Sequence, residues 1–116
     1  MLTIKSYYLG VDSVDTALDA IDTLPFCSVF DRAKAQVQIT NIDRIRVMLV
    51  PAGDSEGAII IITGSFTPEE MLEIETLSQY EHKPLRKEVA EVVAKTVVDL
   101  QTKGVSGTHH ILGDRE

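Results

Sequence analysis

Gly57-Ala58-Ile59-Ile60-Ile61-Ile62-Thr63-Gly64-Ser65-Phe66-Thr67-Pro68-Glu69-Glu70 is the stretch from which the rest of this chain is best understood. Four consecutive isoleucines framed by glycines are too short and too β-branched for a buried helix, so they predict a strand. The apolar run does not alternate with polar residues, which predicts cover on both faces. Gly64-Ser65 ends the strand, and the next residues open a helix. Thr67 is placed to cap, Pro68 suits the first helical position because its missing N–H bonds nothing there, and Glu70 completes a capping box. A buried strand therefore hands over through a tight turn to a helix.

Upstream, residues 33–40 alternate, with Ala35, Val37 and Ile39 on one face and Lys34, Gln36 and Gln38 on the other. That pattern predicts a strand with one solvated face. Residues 41–43 read as a turn, residues 44–50 as the return strand with Ile45, Val47 and Leu49 inward, and residues 51–57 as a loop. Residues 2–9 predict a first strand ended by Gly10. Ser13 or Asp12 then caps a helix to about Leu24, with Val14, Ala17, Leu18 and Ile21 at helical spacing and Pro25 as its stop. Residues 26–30 form a short apolar segment.

Downstream, Met71, Ile74 and Leu77 give the helix an apolar stripe, and His82-Lys83-Pro84 interrupts it because proline disfavours helical geometry at the residue before it. A second helix starts at Pro84 and carries Leu85, Val89, Val92, Val93, Thr96, Val97 and Leu100 on one face, with Lys103-Gly104 as its cap. The expectation is a single α+β domain over residues 1–104: an antiparallel sheet of about four strands, element order β-α-β-β-β-α-α, with helices on one face. Residues 105–116 are a polar tail with a short strand at 108–112.

Composition narrows the function. The 116 residues are 44% apolar and 25% charged, ordinary for a soluble globular domain. A net charge of −7, three Phe, three Tyr and no Trp oppose nucleic-acid binding, which needs clustered bases or stacked rings. Cys27 is the single cysteine, so an intramolecular disulfide is impossible and a disulfide-stapled secreted domain is excluded. Residues 1–10 lack the apolar core of a signal peptide, and no apolar run reaches the length of a membrane span. The expected location is the cytoplasm, with no membrane partner.

Four polar features are candidate sites. Gly64, Ser65 and Thr67 lie at a strand end and a helix N-terminus, where free N–H groups suit an anion; against this, Glu69 and Glu70 repel one and the capping box uses the donors. Asp12, Asp15, Asp19 and Asp22 fall in one helical stripe opposite Val14, Leu18 and Ile21. Such a stripe is either a solvated face or a docking surface for a basic partner. Arg86 and Lys87 place positive charge at a helix start, against the dipole, which predicts pairing with Glu70, Glu73 or Glu75 or with an external anion. His109 and His110 are neighbours in a predicted strand and point to opposite faces, so they cannot share one metal.

No zinc spacing, Gly-x-Gly-x-x-Gly, Walker lysine or Gly-x-Ser-x-Gly elbow occurs, and Cys27 has no histidine near it in sequence. Neither a cofactor nor a catalytic residue is predicted. The leading expectation is a non-enzymatic module acting by self-association or protein docking, as a homo-oligomer, because a meander with helices on one side leaves the isoleucine strand exposed on the other. Charge placement supports this: residues 54–81 hold seven acids and no Lys or Arg, while residues 32–46 hold four bases. The alternative is a binder of a small carboxylate or phosphate, or an enzyme with sites at subunit interfaces, its pocket between the Gly64–Thr67 turn and Arg86/Lys87.

Overall fold

The computed structural model describes residues 1–31, 36–38, 44–53, 56–102 and 107–113. Its strands are β1 (Thr3–Val11), β2 (Ser28–Asp31), β3 (Gln36–Gln38), β4 (Ile45–Pro51), β5 (Ala58–Phe66) and β6 (Thr108–Ile111). The helices are α1 (Val14–Asp22), α2 (Pro68–Glu75) and α3 (Arg86–Thr102), with 3₁₀ turns at Thr76–Tyr80 and Lys83–Leu85 between the last two. Local chemistry sets these boundaries. The Ser13 hydroxyl accepts from the Thr16 amide to start α1, and Thr67 and Glu70 form both halves of the capping box that starts α2. Pro84 lies in the 3₁₀ turn that separates α3 from the preceding helix.

The fold is α+β. One four-stranded sheet has the order β4-β5-β1-β6, and β2 and β3 form a separate antiparallel pair. β5 runs antiparallel to both β1 and β4, and β6 runs parallel to β1. The sheet is therefore mixed, not purely antiparallel. Because β1 and β4 point the same way with β5 between them, α1 belongs to a split β-α-β unit. The predicted pairing of residues 33–40 with 44–50 is replaced by β3 pairing with β2; the turn expected at 41–43 lies outside the described residues.

Strand alternation divides the core in two. Tyr7, Leu9 and Val11 of β1, Ala58, Ile60 and Ile62 of β5, and Ile45 and Val47 of β4 pack with Ala17, Ala20 and Ile21 of α1 and with Ile74 and Leu77. On the opposite face Tyr8, Ile59 and Ile61 pack with Leu85 and Val89. Burying each isoleucine side chain contributes roughly 1.5–3 kcal/mol. The expectation of helices on one face holds for α1 and α2 but not for α3. The break at His82–Pro84 carries the chain past the sheet end, where the His82 amide donates to the Gly10 carbonyl at 2.8 Å, and α3 then lies on the other face. Gly10 permits this: a Cβ there would meet Leu85 Cβ and Val89 Cγ2 at 2.9 Å. Hence the isoleucine strand is covered on both sides within one chain, with Ile59 1% and Ile61 6% exposed. The face argument for a partner is thereby overturned.

Candidate functional site

The predicted site residues fall into separate places. Gly64 pairs with Lys5 near the start of β1. Arg86 is at the other end, where its guanidinium donates to Glu81 and to the Gly113 carbonyl beyond β6. Five residues of β1 separate the Lys5 and Gly10 levels, about 16 Å of strand. The two halves of the expected anion pocket are not brought together.

Their donors are also engaged within the chain. The Thr67 amide donates to Glu70 Oε1 at 2.8 Å, the Glu70 amide to the Thr67 hydroxyl at 3.2 Å, and the Ser65 amide to the Arg44 carbonyl at 3.0 Å. Arg86 takes Glu81 as its partner in place of Glu70, Glu73 or Glu75. Lys87 is exposed. The cation that answers Glu70 is Arg44, a residue without a role in the sequence-based reading. It binds both carboxylate oxygens, at 2.7 and 2.9 Å, and donates to the Ser65 carbonyl, tying the start of β4 to the β5–α2 turn.

This pair gives the fold an acid-sensitive tie. The Arg44 hydrogen bonds lower the Glu70 pKa from 4.5 to about 2, with smaller help from Thr67. A depressed carboxyl pKa contributes stability above about pH 4.5, and that contribution is lost as pH falls through about 2. The Glu70 side chain is 13% exposed and Arg44 is half-buried, so solvent screening makes the contribution smaller than an enclosed pair would give. In urea titrations between pH 5 and 2, Glu70→Gln is expected to lack this part of the acid-induced loss; identical pH slopes in variant and wild type would show that the pair is not coupled to folding.

Asp12, Asp15, Asp19 and Asp22 are all exposed, on the side of α1 away from its buried residues, and Asp12 accepts from the Thr16 hydroxyl at 2.6 Å. His109 stacks on Tyr8 and shares a 2.9 Å hydrogen bond with its hydroxyl, whereas His110 meets Tyr7 edge-on. Since Tyr7 and Tyr8 face opposite sides of the sheet, so do the two histidines. Among the described residues no group of three or more His, Cys, Asp or Glu is placed to hold a metal ion. Burial pushes the Cys27 thiol up to about 12, away from nucleophilic character.

The feature with the clearest capacity for interaction is the outer edge of β4. Among the described residues β4 is bonded on one side alone, to β5. The Arg44 carbonyl accepts from the Ser65 amide and the Ala52 amide donates to the Gly57 carbonyl, so the residues framing β4 both turn their main-chain groups toward β5. Successive residues turn these groups to alternate sides of a strand. Arg46, Met48 and Val50 therefore bond β5, and Ile45, Val47, Leu49 and Pro51 turn theirs away from it; Ile45 and Val47 are buried, 2% and 4% exposed, so the accessible part of this edge is its C-terminal half, Leu49 to Pro51. Pro51 has no N–H to lose at that edge, the placement that a strand proline requires.

Side chains make the edge apolar. Met48 is 39% exposed, Leu49 and Val50 are half-buried, and Arg46 is the single charged residue of the strand. Beside its C-terminal half lies a groove of about 340 Å³, lined by Val14, Leu49, Val50, Pro51, Glu56, Gly57 and Ala58. No family model, curated protein or solved structure matches this chain. No helix among the described residues is long and apolar enough to cross a membrane. The sequence held one sign of the edge, Pro51 closing an apolar strand, but the alternation of residues 33–40 suggested a neighbour that β2 takes instead.

Proposed function

We propose that this protein is an association module whose docking surface is the C-terminal half of the outer edge of β4, where a strand from another chain adds to the sheet. The observation that carries this is the accessible C-terminal half of an apolar strand, where the Leu49 and Pro51 main-chain groups turn away from β5. Long apolar edges are templates for strand pairing, and soluble proteins blunt them with charge, proline, bulges or cover. β4 has one arginine and a terminal proline, and its ladder with β5 has no bulge. An added strand satisfies the Leu49 amide and carbonyl and the Pro51 carbonyl, and the neighbouring groove has room for an apolar side chain of that strand.

Backbone amide exchange tests this residue by residue. The Arg46, Met48 and Val50 amides are expected to exchange slowly at all concentrations because β5 holds them. The Leu49 amide is expected to exchange fast in dilute protein and at least tenfold slower in the associated state. If this amide is already slow where light scattering shows a single chain, the C-terminal half of the edge is covered internally and β4 is not the docking surface.

A further inference from the structure

Resting on the proposal that the C-terminal half of β4 accepts an added strand, we infer that this strand is a basic and apolar segment of a different protein. One large apolar side chain of the segment sits in the groove beside β4, and a Lys or Arg lies two residues away from it. The groove supplies the first half of that chemistry. Its walls include Val14 at the start of α1, Leu49 and Val50 of β4, and Ala58 at the start of β5. Val14 is 39% exposed, so the first turn of α1 leaves an apolar wall partly open to solvent. Small-molecule pockets span about 300–1,000 Å³. At about 340 Å³ this groove lies at the lower end, with room for one large side chain.

Charge supplies the second half. Glu56 is exposed and, among the described residues, is the one charged side chain that lines the groove. Asp12 and Asp15 flank Val14 in the chain and are exposed as well. The segments on either side of the groove carry only acids: residues 11–24 hold four and residues 54–81 seven, with no Lys or Arg in either. The single base of β4, Arg46, lies four residues before Val50, about 13 Å along the strand. One sign of charge around an apolar slot selects a partner of the opposite sign and disfavours a like-charged one. A second copy of this chain, with net charge −7 and the same acidic rim, is disfavoured on that ground. In an extended segment the residues two before and two after the anchor point the same way, about 7 Å from it. A Lys or Arg there reaches the acidic rim while its aliphatic stem covers the apolar wall.

A phage-displayed library of random decapeptides, panned on the wild-type chain, tests this. The enriched sequences are expected to share an apolar residue with Lys or Arg two positions away. The corresponding synthetic peptide is expected to slow exchange of the Leu49 amide at least tenfold. Glu56→Lys is expected to weaken binding of that peptide at least tenfold. Val14→Asp is expected to weaken it as well, although it adds negative charge; simple attraction of a basic peptide would strengthen it. Both side chains are exposed, so far-ultraviolet circular dichroism should be unchanged in both variants.

No enrichment, enrichment without a bias to Lys and Arg, unaltered affinity in Glu56→Lys, or tighter binding by Val14→Asp overturns the inference. Light scattering at twice the 12.8 kDa chain mass, returned to one chain by Val14→Asp, gives the groove to a second copy and overturns it too. If uncharged apolar peptides slow the Leu49 amide, the edge still accepts a strand and only the basic character is refuted. A basic peptide that depends on Val14 and Glu56 but leaves the Leu49 amide fast refutes strand addition at β4 itself, and this inference with it.

Discussion

Ile60→Asp is expected to abolish cooperative folding. Ile60 is 1% exposed at the centre of β5, between Leu9 of β1 and Leu49 of β4, within the cluster that holds α1 to the sheet. A carboxylate there has no cation to pair with inside that apolar cluster. The protein must protonate it, admit water or unfold, at a cost of several kcal/mol added to the loss of the isoleucine's own burial. Total stability of a domain this size is about 5–15 kcal/mol, so most of it disappears. A thermal melt followed by circular dichroism should show no folded baseline at 25 °C. Wild-type melting in this variant would mean that Ile60 does not face α1.

The second large effect is expected at Gly64, where replacement by alanine should destabilise by about 3 kcal/mol or more. In an ordinary strand the same change stabilises, because glycine loses more backbone freedom on folding. Here the sign reverses for two reasons. Gly64 has φ +148°, a conformation almost confined to glycine and costing about 1–3 kcal/mol for other residues. A Cβ would also overlap the carbonyl oxygen of Arg44, the group that accepts from the Ser65 amide. Relief requires the start of β4 to move off β5, which also pulls Arg44 away from Glu70. A urea titration gives the size, and Arg46 and Met48 amide exchange locates the damage: both should accelerate. A neutral or stabilising Gly64→Ala would show that the turn is not held by this contact.

These two results probe features with different origins. The isoleucine strand, its caps and the two helix starts at Ser13 and Thr67 were legible because each depends on residues within a few positions. β-branching, a hydroxyl at the cap and a glutamate three residues later act whatever the rest of the chain does. The interruption at Pro84 was legible for the same reason, since proline restricts its immediate neighbour. The short strand at 108–112 also showed in the pattern, although not its place beside β1.

What could not be read locally was which strands neighbour each other and where a helix lies after a turn. The patterns of residues 33–40 and 44–50 both suit strands, and alternation is silent about partners; among the described residues β3 pairs with β2, and β4 with β5 alone. The double apolarity of residues 58–62 correctly demanded two covered faces, but a sequence pattern cannot say whether the cover comes from another chain or from α3. That was settled by Gly10, whose missing Cβ lets Leu85 and Val89 approach β1. Arg44 and Glu70 are 26 residues apart, and only the turn after β5 brings them together. The sequence by itself determined the elements, their ends and the need for burial on both faces, because those follow from short-range sterics, hydrogen bonding and hydrophobicity. Tertiary structure alone decided strand order, the side α3 takes and the partner of Glu70, because each depends on contacts between residues distant in the chain.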